Sequence, residues 1–298
     1  MKKIVFALIA FTAIFGFSSC QKADELNPES IITVDKVDYT PFDYWLDQNF
    51  VGPYNLQFKY RYEEIESDLN YYTVPADYNN AIKLAHLVKY LCLEAYDEVG
   101  GIEFTKTYFP KLIFCTGDWE YKNNGSMILG TAEGGRKIFL GGVNHLDRYL
   151  KSQDDLNTYY FKTIHHEFTH ILNQTKEMPT NYQFITGTAY VADAWSTDEY
   201  KSGYFERGFV SAYSQESYTE DFAEMLSMYV CHDAQTWEAY MMAAGEEGGA
   251  LIAQKLNIVK DYMLNSFNID LDLLRATIQR RQADIMAGKI DLNDISVK

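Results

Sequence analysis

Four cysteines in 298 residues, with no two closely spaced, leave this chain without a disulfide framework. Cys92, Cys115 and Cys231 each stand beside apolar residues and read as buried small hydrophobes; none has the spacing of a zinc thiolate pair. Cys20 closes an apolar opening stretch and is a separate case. Basic residues are also scarce, with 26 Lys and Arg against 42 Asp and Glu and a formal net charge of −16. Such a surface repels phosphate backbones and anionic lipid head groups, which excludes nucleic acid as a partner. The chain lacks internal repeats and low-complexity tracts, and its longest apolar run, Ile4 to Phe17, is too short for a comfortable membrane span.

That run follows Lys2 and Lys3 and leads to Ser18, Ser19 and Cys20, the layout of a targeting segment. Phe17-Ser18-Ser19-Cys20 resembles the lipobox of bacterial lipoproteins, with Phe17 where leucine is usual. The resemblance implies a signal peptide over 1–19, acylation of Cys20 and a lipidated flexible tether over 20–36. An ordinary secretory peptide with a free Cys20 is the alternative. Gln21-Lys22-Ala23-Asp24-Glu25 looks like the acidic signals of surface-exported Bacteroidetes lipoproteins, so the expected location is the outer membrane, periplasmic or cell-surface exposed.

Residues 37–298 are expected to form a single domain. Asn55 to Arg61 alternates as a strand, Asn80 to Tyr96 carries apolar residues at helical spacing, and Lys111 to Cys115 is a short apolar strand. Met127 to Leu129 and Lys137 to Leu140 flank a Gly/Ala-rich turn and read as a hairpin or two neighbouring strands. A helix over about Asp155 to Gln174 has Phe161, Ile164, Phe168, Ile171 and Leu172 as its core stripe. A long loop runs from Met178 to about Glu216; helices follow over Ser217 to Cys231, about Ala250 to Asn265, and Asp270 to Ala287.

The first of these four helices contains His166-Glu167-Phe168-Thr169-His170, an H-E-x-x-H string. Two imidazoles four residues apart share a helix face, so their ring nitrogens can converge on one Zn²⁺ while Glu167 points into the same cleft. A hydrolytic zinc site takes three protein ligands, so a third is needed downstream. The metzincin offsets hold Asn173 and Lys176, which rules that class out, and Asp193 follows Gly187-Thr188 at the wrong offset. His165 lies on another face and reads as packing or as a support to a ligand, not as a ligand itself. His86, His145 and His232 have no ligand spacing.

Glu220-Asp221-Phe222-Ala223-Glu224 places two carboxylates on one helix face, one for metal and one for a histidine. Ser217 to Glu220 also fits a capping box, in which case Glu224 would be the substitute ligand. Here the chain resembles the gluzincins, in particular the lethal-factor-like group. The resemblance implies Glu220 as third ligand, Glu224 as partner of a zinc-bound histidine, and Tyr213, seven residues before the ligand, as oxyanion donor; Tyr218 and Tyr204 compete for that role. It also implies an α+β, zincin-like two-lobed architecture: a small mixed β-sheet over the H-E-x-x-H helix, with an N-lobe over about 37–175 and a helical C-terminal lobe over about 176–298. By the same analogy the strand Lys137 to Val143 is the sheet edge over the cleft, open to an extended peptide.

Together with Pro53-Tyr54-Asn55 and Gly141-Gly142-Val143-Asn144, these motifs resemble a family of Bacteroidetes lipoproteins described as zinc-binding metallopeptidases or substrate-import-associated zinc metallohydrolases. The implied function is zinc-dependent cleavage of peptides or proteins at the cell envelope, with import-complex partners. The rival is a non-catalytic surface lipoprotein that binds substrate for a nutrient import system, and it has no use for Glu167 as a base.

Overall fold

The chain enters its fold at Thr40, which caps helix α1 (Pro41–Leu46). The Thr40 side chain accepts from the Asp43 amide while the Asp43 carboxylate accepts from the Thr40 amide, a reciprocal cap that satisfies two free helix-end donors. In the computed structural model residues 38–68, 70–121, 127–133 and 136–297 are described. The expected signal peptide (1–19), Cys20 and the expected tether (20–36) lie outside them. Among the described residues no helix is long and apolar enough to cross a membrane.

After strand β1 (Gln57–Lys59), helix α2 (Tyr78–Val88) continues through a wide turn into Glu94–Gly100, and α3 (Ile102–Tyr108) leads to β2 (Leu112–Cys115). Glu120–Tyr121 (β3) pairs antiparallel with Met127–Ile128 (β4). Gly130–Glu133 (β5) pairs antiparallel with Lys137–Leu140 (β6). The sheet order is β1-β2-β6-β5, parallel except for β5. Ile113, Cys115, Ile138 and Leu140 are fully buried, as expected for strands covered by helices.

This order corrects two expectations. Lys137–Leu140 is not the sheet edge but lies between β2 and β5, and Val143 belongs to a helical turn beyond it. The hairpin partner is Gly130–Glu133 instead of Met127 to Leu129. The physical reason lies in Gly130: a Cβ there would stand 2.5 Å from the Phe139 carbonyl oxygen and 2.6 Å from Thr163 Cγ2. Glycine lets the edge strand settle directly on the helix below, and the residues that read as a turn are the strand. Just beyond the same end of β6, Gly142 adopts φ +76°, and a Cβ would meet the Trp119 ring at 2.1 Å.

The H-E-x-x-H helix, α4 (Lys162–Thr175), follows a wide turn over Asn157–Phe161. Its predicted core stripe is buried throughout, with Phe168 packed 4.9 Å from Phe109 and 5.0 Å from Tyr96, centroid to centroid. Helix α5 (Tyr218–Cys231) lies against α4. The next helix, α6 (Ala234–Phe267), begins well before the predicted Ala250, because the chain stays helical on both sides of a kink at Gly245, φ +67°. Helix α7 (Leu271–Met286) packs on α5. Residues from Tyr39 onward form one compact α+β unit.

Candidate metal centre

Helix α4 supplies His166 and His170 from one face, and α5 presents Glu220 opposite them. His166 Nε2 is 2.9 Å from Glu220 Oε2, His170 Nε2 is 3.3 Å from the same oxygen, and the two Nε2 atoms are 3.1 Å apart. Among the described residues these are the side chains of the one His/Cys/Asp/Glu group whose donor atoms could hold a metal ion. Tetrahedral ligands 2.0–2.1 Å from zinc stand roughly 3.3 Å from one another, so the three separations suit that ion. Asp193 is exposed in a separate helical turn and has no part in the group.

Helix capping does not claim Glu220. Its backbone amide donates to Ser217 Oγ at 3.3 Å, which caps α5, while its carboxylate is turned to the two histidines. The rival capping role therefore uses the main chain and leaves the side chain for the site.

Glu224, one turn further along α5, meets the other ring nitrogen: His166 Nδ1 lies 2.9 Å from Glu224 Oε1. Glu224 is 1 % exposed and is also held by Lys162 Nζ at 3.1 and 3.2 Å and by Ser211 Oγ, which donates at 2.6 Å. Burial would raise the Glu224 pKa, but Lys162 and His166 overcome it and hold the carboxyl well below its usual range. Burial likewise opposes charge on His166, yet Glu220 and Glu224 push its pKa up to about 10. An imidazolium clasped between buried Glu224 and half-buried Glu220 marks a place built for positive charge, and a cation binding the three donors would displace that proton.

Glu167 lies beside His166 and lines the same cavity of about 530 Å³, together with Tyr213, Trp195 and Lys162. The Tyr213 ring is 5.9 Å from the His166 ring and 5.1 Å from Trp195. Burial and the nearby Glu220 and Glu216 carboxylates raise its phenol pKa, so the hydroxyl remains a proton donor at neutral pH. Of its two rivals, Tyr204 packs on Phe205, while Tyr218 lines a second cavity that His170 and Glu220 also border.

His165 is fully buried, with Nδ1 3.0 Å from the Tyr96 hydroxyl, and burial pulls its pKa down to about 3. It is a neutral packing residue. His145 stacks on Trp119 at 4.4 Å, and His232 Nδ1 donates to the Met228 carbonyl. Cys92, Cys115 and Cys231 are free and buried.

Three participants escaped the sequence reading. Lys162 stands four residues before His166, a spacing that could have shown it on the same face; Ser211 and Trp195 sit in the long loop with no local signal. A further joint links that loop to α5. Asp221, beside Glu220, pairs with Lys255 at 2.6 Å with both side chains fully buried; Lys255 also donates to Gly208 O, and the Tyr190 hydroxyl donates to Asp221.

No curated protein matches the chain. A crystal structure of a "putative zinc-binding metallo-peptidase" from Bacteroides caccae is similar to it, with 43 % identity, a TM-score of 0.73, and coverage of 86 % of this chain and 96 % of that one. The family model described as "Putative zinc-binding metallo-peptidase" matches residues 35–272. By that match the chain belongs to this metallo-peptidase family.

Proposed function

We propose that the protein is a zinc peptidase of the H-E-x-x-H class, gluzincin-like and two-lobed, in which His166, His170 and Glu220 hold the metal. The observation that carries this reading is the convergence of two Nε2 atoms and one carboxylate oxygen beside Glu167 in one cavity. Zinc in such a site would lower the pKa of a water to roughly 7 and polarise a carbonyl. Glu167 then takes the proton of the attacking water and delivers it to the leaving amine. Tyr213, protonated and facing the cluster, donates to the oxyanion that forms. Glu224 orients His166 through Nδ1, and Lys162 and Ser211 keep Glu224 charged and fixed.

The substrate is a peptide because β5 is a sheet edge in the wall of that cavity. Gly141 N donates to Leu129 O at 3.1 Å, which makes residues 129, 131 and 133 the ones bonded to β6. Among the described residues no strand pairs with the other side of β5, and the peptide groups of Gly130 and Ala132 face that side, where an extended chain can pair with them.

Glu167→Gln is expected to retain zinc and lower turnover on a mixed peptide library by roughly 10²- to 10⁴-fold. Tyr213→Phe is expected to retain zinc and lose up to about 10²-fold. Full activity in Glu167→Gln would assign the hydrolysis to another base or to a contaminant, whereas absence of zinc-dependent cleavage by the parent protein would favour the non-catalytic, substrate-binding reading.

The location proposed is the outer membrane, through a lipid on Cys20 and with import-complex partners within reach. Fractionation of Cys20→Ala should find it released from membranes, and a variant still membrane-bound would end the lipoprotein assignment.

A further inference from the structure

Tyr213, the oxyanion donor of the proposed mechanism, stands near the end of the long loop in a helical turn of 3 residues, Tyr213–Gln215. A turn that short does not fix its own position, and loops are ordinarily the more mobile part of a fold. The Tyr213 ring nevertheless lies 5.9 Å from that of His166. Its placement depends on what holds the turn from either side.

Two serines flank the tyrosine and close on each other. The Ser211 amide donates to Ser214 Oγ at 3.2 Å, the Ser214 amide donates to Ser211 Oγ at 3.0 Å, and the two hydroxyl oxygens are 3.0 Å apart. This is the reciprocal arrangement of a capping box, with a serine in the place of the usual glutamate. The Ser211 hydroxyl donates to Glu224 Oε2 at 2.6 Å, since an ionised carboxyl only accepts, and the Ser214 hydroxyl is then the donor between the serines. Glu224 is the same carboxylate that meets His166 Nδ1 at 2.9 Å. On the other side of Tyr213, fully buried Gln215 donates to the Tyr200 and Ala212 carbonyls and accepts from Arg207 Nε at 2.8 Å. The turn is thus pinned before and after the tyrosine. Neither serine lines the cavity that holds Glu167 and Tyr213, so neither meets a substrate there.

We propose that Ser211 and Ser214 are positioning residues for the reaction: their clasp holds the Tyr213 hydroxyl in register with the metal ligand His166, and Glu224 is the anchor common to both. The ligand comes from α4 and the tyrosine from the loop, so a shared carboxylate sets the separation of two groups far apart in sequence. Displacement of a reacting group by about 1 Å can cost roughly 10²-fold in rate, so such a clasp acts on turnover more than on binding. This rests on the peptidase reading with Tyr213 as oxyanion donor, and adds to it two residues that act through that tyrosine.

The test is a double-mutant cycle on zinc-loaded protein, with a peptide that the parent cleaves. Ser214→Ala leaves the Ser211 bond to Glu224 in place; it should keep about one zinc per chain and lower kcat by roughly 10-fold, with KM within about twofold of the parent. In a Tyr213→Phe background the same substitution should cost less than about twofold. Ser211→Ala, at a half-buried position, is the second variant, and its loss of kcat at saturating zinc should vanish in that background in the same way. Fluorine NMR of a fluorotyrosine placed at position 213 supplies a readout without turnover, in protein free of metal: one narrow line is expected for the parent and a shifted or divided line for Ser214→Ala. Equal losses in the two backgrounds, an unchanged kcat in both serine variants, or an unmoved fluorine line would each overturn the inference and leave the peptidase reading standing. Full activity in Tyr213→Phe removes the oxyanion role and this inference with it, while zinc-dependent cleavage still stands. Absence of cleavage of any peptide by the parent fells the peptidase reading and the inference together.

Discussion

The floor and the roof of this cleft are built on different principles. The floor is two helices, α4 and α5, whose ligand-bearing residues repeat at four-residue spacing: Lys162, His166 and His170 on one, Glu220 and Glu224 on the other. The roof is an edge strand, Gly130–Glu133, and the long loop that contributes Trp195, Ser211 and Tyr213. Charge is concentrated in the floor, where Glu220 is tied to the two histidines and Glu224 to Lys162 and His166. Shape comes from the roof. Metal affinity should therefore depend on α4 and α5, and substrate handling on the strand and loop.

The sharpest break in that comparison is Glu220→Ala, which removes the oxygen shared by the two Nε2 atoms. Zinc should be lost almost completely by elemental analysis. Glu224→Gln keeps the three donors and disturbs only the Nδ1 side of His166, so its zinc affinity should fall by roughly 10- to 100-fold. If Glu224→Gln were the variant to lose its metal outright, the assignment of ligand and orienting carboxylate would have to be exchanged.

The floor was legible in the sequence because its information is local. Helical period alone brings His166 to His170 and Glu220 to Glu224, and a buried apolar stripe from Phe161 to Leu172 confirms the face. The roof was not legible for a matching reason. Gly130-Thr131-Ala132-Glu133 has the composition of a turn, and only the close approach of Phe139 and Thr163 makes it a strand. Helix α6 was half hidden because Gly245 kinks it. The pairing of Asp221 with Lys255 joins positions far apart in sequence, and nothing local announces it.

That pair is the joint between floor and roof, and its disruption sharpens the comparison next. Lys255→Met leaves Asp221 buried without its cation and frees the Gly208 carbonyl, which should cost about 3–5 kcal/mol in denaturant unfolding. Replacing both, Asp221→Leu with Lys255→Met, should recover most of the loss, since apolar side chains tolerate that burial. Zinc stoichiometry of the folded single variant should stay near one. A collapse in zinc binding as complete as that of Glu220→Ala would show that the loop, through Asp221, sets the metal site as much as the helices do.

The smallest expected effect lies outside both regions and separates stability from site chemistry. Asp43 caps α1 and accepts two bonds from Arg61, at 2.6 and 2.7 Å. Burial works against its charge, but Arg61 and Thr40 prevail and bring its pKa to about 2, against an ordinary 3.8. A depressed carboxyl stabilises the fold at pH values above its unfolded pKa, and the contribution is lost as pH falls from about 4 to about 2. At roughly 1.4 kcal/mol per pH unit the contribution is about 2 kcal/mol at pH 7. Asp43→Asn should therefore lower unfolding stability by that order at neutral pH and flatten the acid limb between pH 4 and 2, with zinc content and turnover at pH 7 unchanged. An acid limb as steep as that of the parent protein would mean that other carboxyls, Glu220 and Glu224 foremost, carry the acid sensitivity, and the floor would then govern stability as well as metal binding.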